Sequence, residues 1–244
     1  MGRMVSGTLS LIAGALGIGP ALFIMYYTLA EYTYPKVERP FFDDRKVFMM
    51  LTLGLFLGIG MTIVRPYFYL GDAVIVIFYS LFLTLMMQVV LLMKRFTARL
   101  DTAFYGTSLG IGIGAMLAYQ MGLIIFGGYA EGGSSTPWEA YIIALAISFQ
   151  IVLITAVCST LIGIGSARGK PWYFFGQALL LQITYNLLLL PLYQLGDDPL
   201  TYVTFVMATI FTLFTYWYIR AKSLPELVRE AVYRMKKAGK VRKT

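Results

Sequence analysis

The sequence contains no histidine, one cysteine (Cys158) and only 13% charged residues, where soluble domains carry about 25%. Imidazole is the usual proton shuttle near neutral pH and the commonest metal and haem ligand. Its absence excludes Ser-His and Cys-His catalysis, His-ligated zinc and His-ligated haem together. A single thiol inside an apolar run makes no internal disulfide. With 59% hydrophobic residues and a mean hydropathy of +0.73, the chain does not fit a soluble globular domain.

What the sequence has instead is long apolar runs, at 5–29, 47–64, 73–93, 103–127, 138–165, 172–195 and 201–219. One bilayer crossing takes about 20 mostly apolar residues, so seven crossings use about 140 and leave no room for a separate soluble domain. The runs show no period-two alternation, and only helices or closed barrels satisfy their backbone groups in lipid. The expected fold is therefore all-α, a polytopic membrane bundle of seven transmembrane helices and an integral multi-pass protein. The first run is too long, and lacks a convincing small-residue cleavage site, for a signal peptide.

The net charge of +8 would suggest nucleic acid in a soluble protein, but its distribution points to the bilayer. Two basic residues, Arg3 and Arg65, fall on one side of the predicted spans and eighteen on the other, among them Lys36, Arg39, Lys94, Arg168 and Lys170. The positive-inside rule then predicts an outside N-terminus and a cytoplasmic C-terminus. The chain divides into a transmembrane domain over 1–220 and a basic tail over 221–244. Ser223 and Glu226 have capping-box spacing around Pro225, and Leu224, Leu227, Val228, Ala231, Val232 and Met235 follow at helical spacing. This predicts an amphipathic helix on the cytoplasmic leaflet, with Arg229, Arg234, Lys236 and Lys237 near anionic lipid. The lipid bilayer is thus the first expected partner, another integral membrane protein a second, and no nucleic acid is implied.

No Asp, Glu, Lys, Arg or His lies inside the seven runs; Glu31, Arg65, Asp72, Lys94, Asp101, Glu139 and Arg220 sit at their ends. Ionisable residues within spans are costly and mark proton relays and catalytic sites. Their absence excludes a retinal-type Schiff-base lysine, a presenilin-type aspartate pair and carboxylate-coupled transport. No catalytic residue, metal ligand or cofactor is assigned. Asp101 is expected to cap the fourth helix. The polar groups in the spans are amides and hydroxyls, and the candidate groove comprises Tyr79, Ser80, Thr155, Ser159, Gln182, Tyr185 and Asn186. Gln182 and Asn186, four apart, share one helix face. Gly54 and Gly58 form a GxxxG in the second run, while Gly106, Gly110, Gly112 and Gly114 give the fourth a ridge almost free of side chains. Close helix packing is the expected use of both, with the fourth helix near the bundle centre.

At the fourth run, and along the whole chain, the sequence resembles the PrsW family of intramembrane proteases, relatives of the CAAX-processing proteases and of the Aph subunit of gamma-secretase. The family's D-G-x-x-Y-G-x-x-x-x-x-G pattern is similar to DTAFYGTSLGIG, which keeps Asp101, Tyr105, Gly106 and Gly112 with Thr102 in place of the first glycine. Pro20 in GPALFIMYY and the Glu38-Arg39-Pro40 loop resemble the family's first span and loop. The family's H-x-x-x-[DN] falls on QITYN, which keeps Asn186 and has Gln182 at the histidine position. Its E-E-x-x-K falls on Tyr79, Ser80 and Leu83, and its fifth-span histidine falls near Leu153. The resemblance therefore implies a retained bundle with a lost site, because no Gln, Ser or Leu serves as a base at neutral pH. A non-catalytic pseudoprotease or scaffold, binding another membrane protein or lipid, is the leading expectation. A passive path lined by Gln182, Asn186, Thr155 and Ser159 is the alternative, and a protease with an unrecognised site near Asp72 or Asp101 comes third.

Overall fold

The computed structural model describes residues 7–33, 41–65, 72–96, 99–131, 138–194, 199–230 and 233. The sequence features at Arg3, Lys36, Arg39 and Pro40, and the tail cations Arg234, Lys236 and Lys237, lie outside these residues. Eight helices follow in order: α1 (Gly7–Leu29), α2 (Asp44–Val64), α3 (Ala73–Leu91), α4 (Thr102–Glu131), α5 (Trp138–Arg168), α6 (Pro171–Leu188), α7 (Leu190–Gln194) and α8 (Pro199–Tyr218). Among the described residues there is no strand. Seven helical segments among the described residues are long and apolar enough to cross a membrane, one of them running from α6 into α7. The break between α6 and α7 falls just before Pro191, whose missing N–H cannot continue an α-helical ladder.

Polar residues start two of the helices. The Asp43 carboxylate accepts from the Arg45 N–H at 3.1 Å, and that of Asp72 from the Val74 N–H at 2.8 Å, which satisfies first-turn donors of α2 and α3. Asp101 acts differently from its expected side-chain cap. Its carboxylate takes the Arg99 guanidinium at 3.2 Å and the Tyr105 hydroxyl at 3.0 Å, leaving its backbone carbonyl to open α4.

Helices α4 and α5 form the centre, with 67% and 72% of their spanning windows buried, whereas α1, α2 and α6 reach 28% and the α8 segment 22%. Helix α4 packs on α5, α2 and α1; α5 also meets α6 and α8, and α3 leans on α6. Lipid tails are as apolar as leucine, so close van der Waals contact, more than burial from water, holds such helices together. Glycine supplies that contact. A Cβ on Gly112 would overlap the Leu51 carbonyl oxygen of α2, and one on Gly54 would overlap that of Leu109 and come within 3.0 Å of the Gly112 Cα. On the opposite face of α4, Cβ atoms on Gly106 and Gly110 would run into the carbonyl oxygens of Ser159 and Thr155 of α5. Gly58 admits the Met116 side chain, and Gly114 the Thr155 hydroxyl. Both faces of the glycine ridge are thus taken up inside the protein.

The chain does not break between span and tail. Helix α8 runs through a π turn (Ile219–Ser223) into further helix over 224–230, so one helical segment covers Pro199–Glu230. The sequence predicts a new helix capped by Ser223, yet Ser223 lies in the π turn. Pro225 is the physical reason, since it has no N–H for the Ala221 carbonyl and its ring crowds that oxygen; a wider turn relieves both. The Leu224 N–H bonds the Ile219 carbonyl instead. Leu224 and Leu227 are 1% exposed and join the main core cluster, so this part of the tail packs on the bundle rather than lying on lipid. Arg229 points outward and is exposed.

Candidate functional site

The polar residues of α3 and α6 converge at the end of the bundle opposite the tail. Tyr79, Thr155, Gln182, Tyr185 and Asn186 line one small cavity of about 30 Å³, together with Leu83, Leu117, Ile151, Ile154, Leu189 and Arg65. That volume holds on the order of one water molecule. Ser80 stands beside it: its hydroxyl accepts from the Asn186 amide at 2.8 Å and donates to the Val76 carbonyl at 2.8 Å. Thr155 donates to the Ile151 carbonyl of its own helix at 2.7 Å. Gln182 is 3% exposed, and its Oε1 has no partner among the described residues. Ser159, grouped with these residues by sequence, is not on the cavity. It is buried where α5 meets Gly106 and Gly110 of α4. Leu153, at the family's histidine position, is buried but is absent from the cavity wall.

Arg65 is the residue that sequence reasoning placed outside the site. It follows the last residue of α2 and reads as a boundary charge, but it is only 8% exposed. Its guanidinium turns inward, donating to Gln120 Oε1 at 3.4 Å and to Met121 Sδ at 2.8 Å on α4. Gln120 in turn donates to the Thr62 carbonyl at 3.0 Å, tying the ends of α2 and α4 together. The guanidinium thus brings a planar set of N–H donors to the site. Among the described residues, no carboxylate lines the cavity. The lining groups are amides, phenols, a threonine hydroxyl, a guanidinium and aliphatic side chains, none of which is an effective base near neutral pH. Also among the described residues, no three His, Cys, Asp or Glu side chains gather as a metal site would require.

The tail end is organised by charge pairs that join distant parts of the chain. Arg168, at the end of α5, forms a two-pronged pair with Glu230 at 2.7 and 3.3 Å and lies 3.6 Å from Glu226. Arg220, in the π turn, meets Glu31 at 2.6 Å and sits 3.7 Å above the Tyr27 ring. The sequence signal for this second pair was the position of Glu31 and Arg220 at the same end of the first and last spans.

Comparison with protein-family models, with curated proteins and with solved structures finds no match to this chain. The fold defines a seven-helix membrane-type bundle, and that class is as far as likeness carries.

Proposed function

We propose that this chain is a non-catalytic, PrsW-like membrane protein that works by binding another membrane protein or a lipid within the bilayer. The observation that carries this reading is the cavity at Gln182 and Asn186. It has room for about one water, and its wall holds no group that titrates usefully as a base near neutral pH. A hydrolytic site needs a base and space for a peptide segment beside its water, and this cavity offers neither of those two among the described residues. The PrsW-like part of the reading rests on the family-motif positions Tyr79, Leu83, Gln182 and Asn186, which come from separate helices and meet at this one cavity. The glycine ridge of α4 is occupied by α2 and α5, so the outer faces of the bundle are what a partner would meet.

Purification from native membrane in mild detergent tests the proposal, with bound protein and lipid both identified. Reproducible co-purification of a membrane component is the expected result. A chain that always emerges bare, or that cleaves a membrane-embedded peptide when pure, overturns it. The second reading, a passive path lined by amides and hydroxyls, draws on Thr155, Gln182 and Asn186 sharing this cavity, although Ser159 of the expected path lies off its wall. Liposome flux that Asn186→Leu leaves unchanged removes it.

A further inference from the structure

Two openings lie along α6, one facing the helix that follows the π turn and the other facing α8. At the tail end an open pocket of about 630 Å³ is lined by Arg168, Lys170, Tyr173, Phe174 and Glu230. Deeper in the span, a groove of about 410 Å³ is walled mainly by Leu161, Leu180, Leu181, Phe214 and Tyr218, with Gln177 at its side. Tyr173 and Phe174, then Gln177, then Leu180 and Leu181 recur at three- and four-residue spacing and share one face of α6. On α5, Leu161 and Arg168 are two turns apart on one face. Pocket and groove are therefore two levels of a single seam.

The chemistry changes along it as it does along a phospholipid. The deep groove is apolar and opens to the side of the bundle, which suits an acyl chain. Gln177 is about 9 Å along the axis from Pro171 at 1.5 Å per residue, placing an amide below the charged level, where ester carbonyls hang. Lys170, exposed, lines the outer pocket, and Lys222, also exposed, lines neither opening but holds its ammonium 5.4 Å from the centre of the Tyr218 ring that walls the groove. Arg168 is already engaged by Glu226 and Glu230, so the phosphate is assigned to the two lysines. Trp172 and Tyr173, 72% and 64% exposed, stand at the same level. Such aromatic residues collect at the headgroup layer.

We propose that the α6–α8 seam binds one anionic phospholipid, with an acyl chain between Leu180 and Phe214 and the phosphate held by Lys170 and Lys222. The proposal rests on the reading that this protein works by binding and not by catalysis, and it names the ligand class and the place.

The test uses the full chain in mild detergent, titrated with phosphatidylglycerol and with phosphatidylcholine of the same acyl chains. Bound lipid is counted by native mass spectrometry. A cation near an anionic headgroup is worth about fivefold in affinity, so phosphatidylglycerol is expected to bind at least about fivefold tighter. Lys170→Gln with Lys222→Gln should erase that preference, weakening phosphatidylglycerol more than phosphatidylcholine, whose own ammonium already offsets its phosphate, and Leu180→Trp, which fills the groove, should weaken both lipids. Equal affinity for the two lipids, a preference that survives the double substitution, or indifference to Leu180→Trp overturns the site. Both lysines are exposed, and if the double variant still melts early, Lys170→Gln alone carries the test. If no lipid is selected while a membrane protein still co-purifies, the lipid site falls and the wider binding reading stands.

Discussion

Where α4 meets α2 and α5, glycines let main chains touch and leave no space between them, whereas where α6 meets α8, large apolar side chains stand apart around a groove of about 410 Å³. The two regions draw on the same apolar composition. What separates them is the size of the residue at the contact, because side chains that project keep backbones apart and glycines let them close. The centre also satisfies most of its hydroxyls locally: Ser148, Thr155 and Thr160 each donate to the carbonyl four residues earlier on α5, while the buried Ser159 hydroxyl has no partner among the described residues. Little is left there to address to a ligand. The flank, by contrast, offers volume, an amide and exposed cations, which is why any binding role belongs on it.

The largest test of this contrast is a methyl group placed in each region. Gly112→Ala pushes a Cβ into the Leu51 carbonyl, backbone against backbone, with no flexible side chain to yield. A loss of about 1–3 kcal/mol is expected, read as a lower melting temperature in detergent. The matched change on the flank, Gly176→Ala in α6, meets nothing within 4 Å. It should cost nothing and gain up to about 1 kcal/mol from helix propensity. Equal losses at the two positions would erase the distinction between a closed centre and a loose flank.

The next effect in size concerns what holds the flank. Arg220→Gln removes the pair with Glu31 and the contact with the Tyr27 ring, both partly buried. The expected cost is about 1–2 kcal/mol, between the exposed and buried limits for ion pairs. Limited proteolysis should then cut the segment after α8 sooner, and unchanged proteolysis would show that the pair does not tether it. Smallest is Asn186→Leu, which removes the hydrogen bond to Ser80 between α6 and α3. Cross-helix bonds of this kind average about 0.6 kcal/mol in membrane proteins, so chemical denaturation should register a shift of that order. A much larger loss would make the cavity, and not the glycine centre, the keystone of the bundle.

The spans were legible in the sequence because apolar length is a strong, local signal. The 73–93 and 138–165 runs differ from α3 and α5 by only two or three residues at an end. The glycine ridge was legible as a contact surface, but which helix lay on which face was not, since that depends on three-dimensional order. Arg65 was misplaced because a long side chain at a helix end can turn either toward water or inward, and the sequence does not contain the direction. The Gln120 and Met121 acceptors that draw it in lie 55 and 56 residues further on. The Ser223 cap was a sound local pattern overruled by a neighbour, Pro225, whose demand on the preceding turn was the stronger. Ser159 and Thr155 read alike in the sequence, as hydroxyls within the fifth span, yet only Thr155 lies on the cavity wall.

The π turn over Ile219–Ser223 also acts as a phase setting between two parts of the chain. It stores one residue more than an α turn, and each residue rotates a helix by about 100°. Loss of a single residue there would swing everything downstream by that angle. Leu224 and Leu227 would leave the core for lipid, and Glu226 and Glu230 would turn away from Arg168. Changing Ala221, which is exposed, to another side chain leaves that angle alone. The length of the turn, more than its composition, therefore fixes which face the helix over 224–230 turns to the bundle.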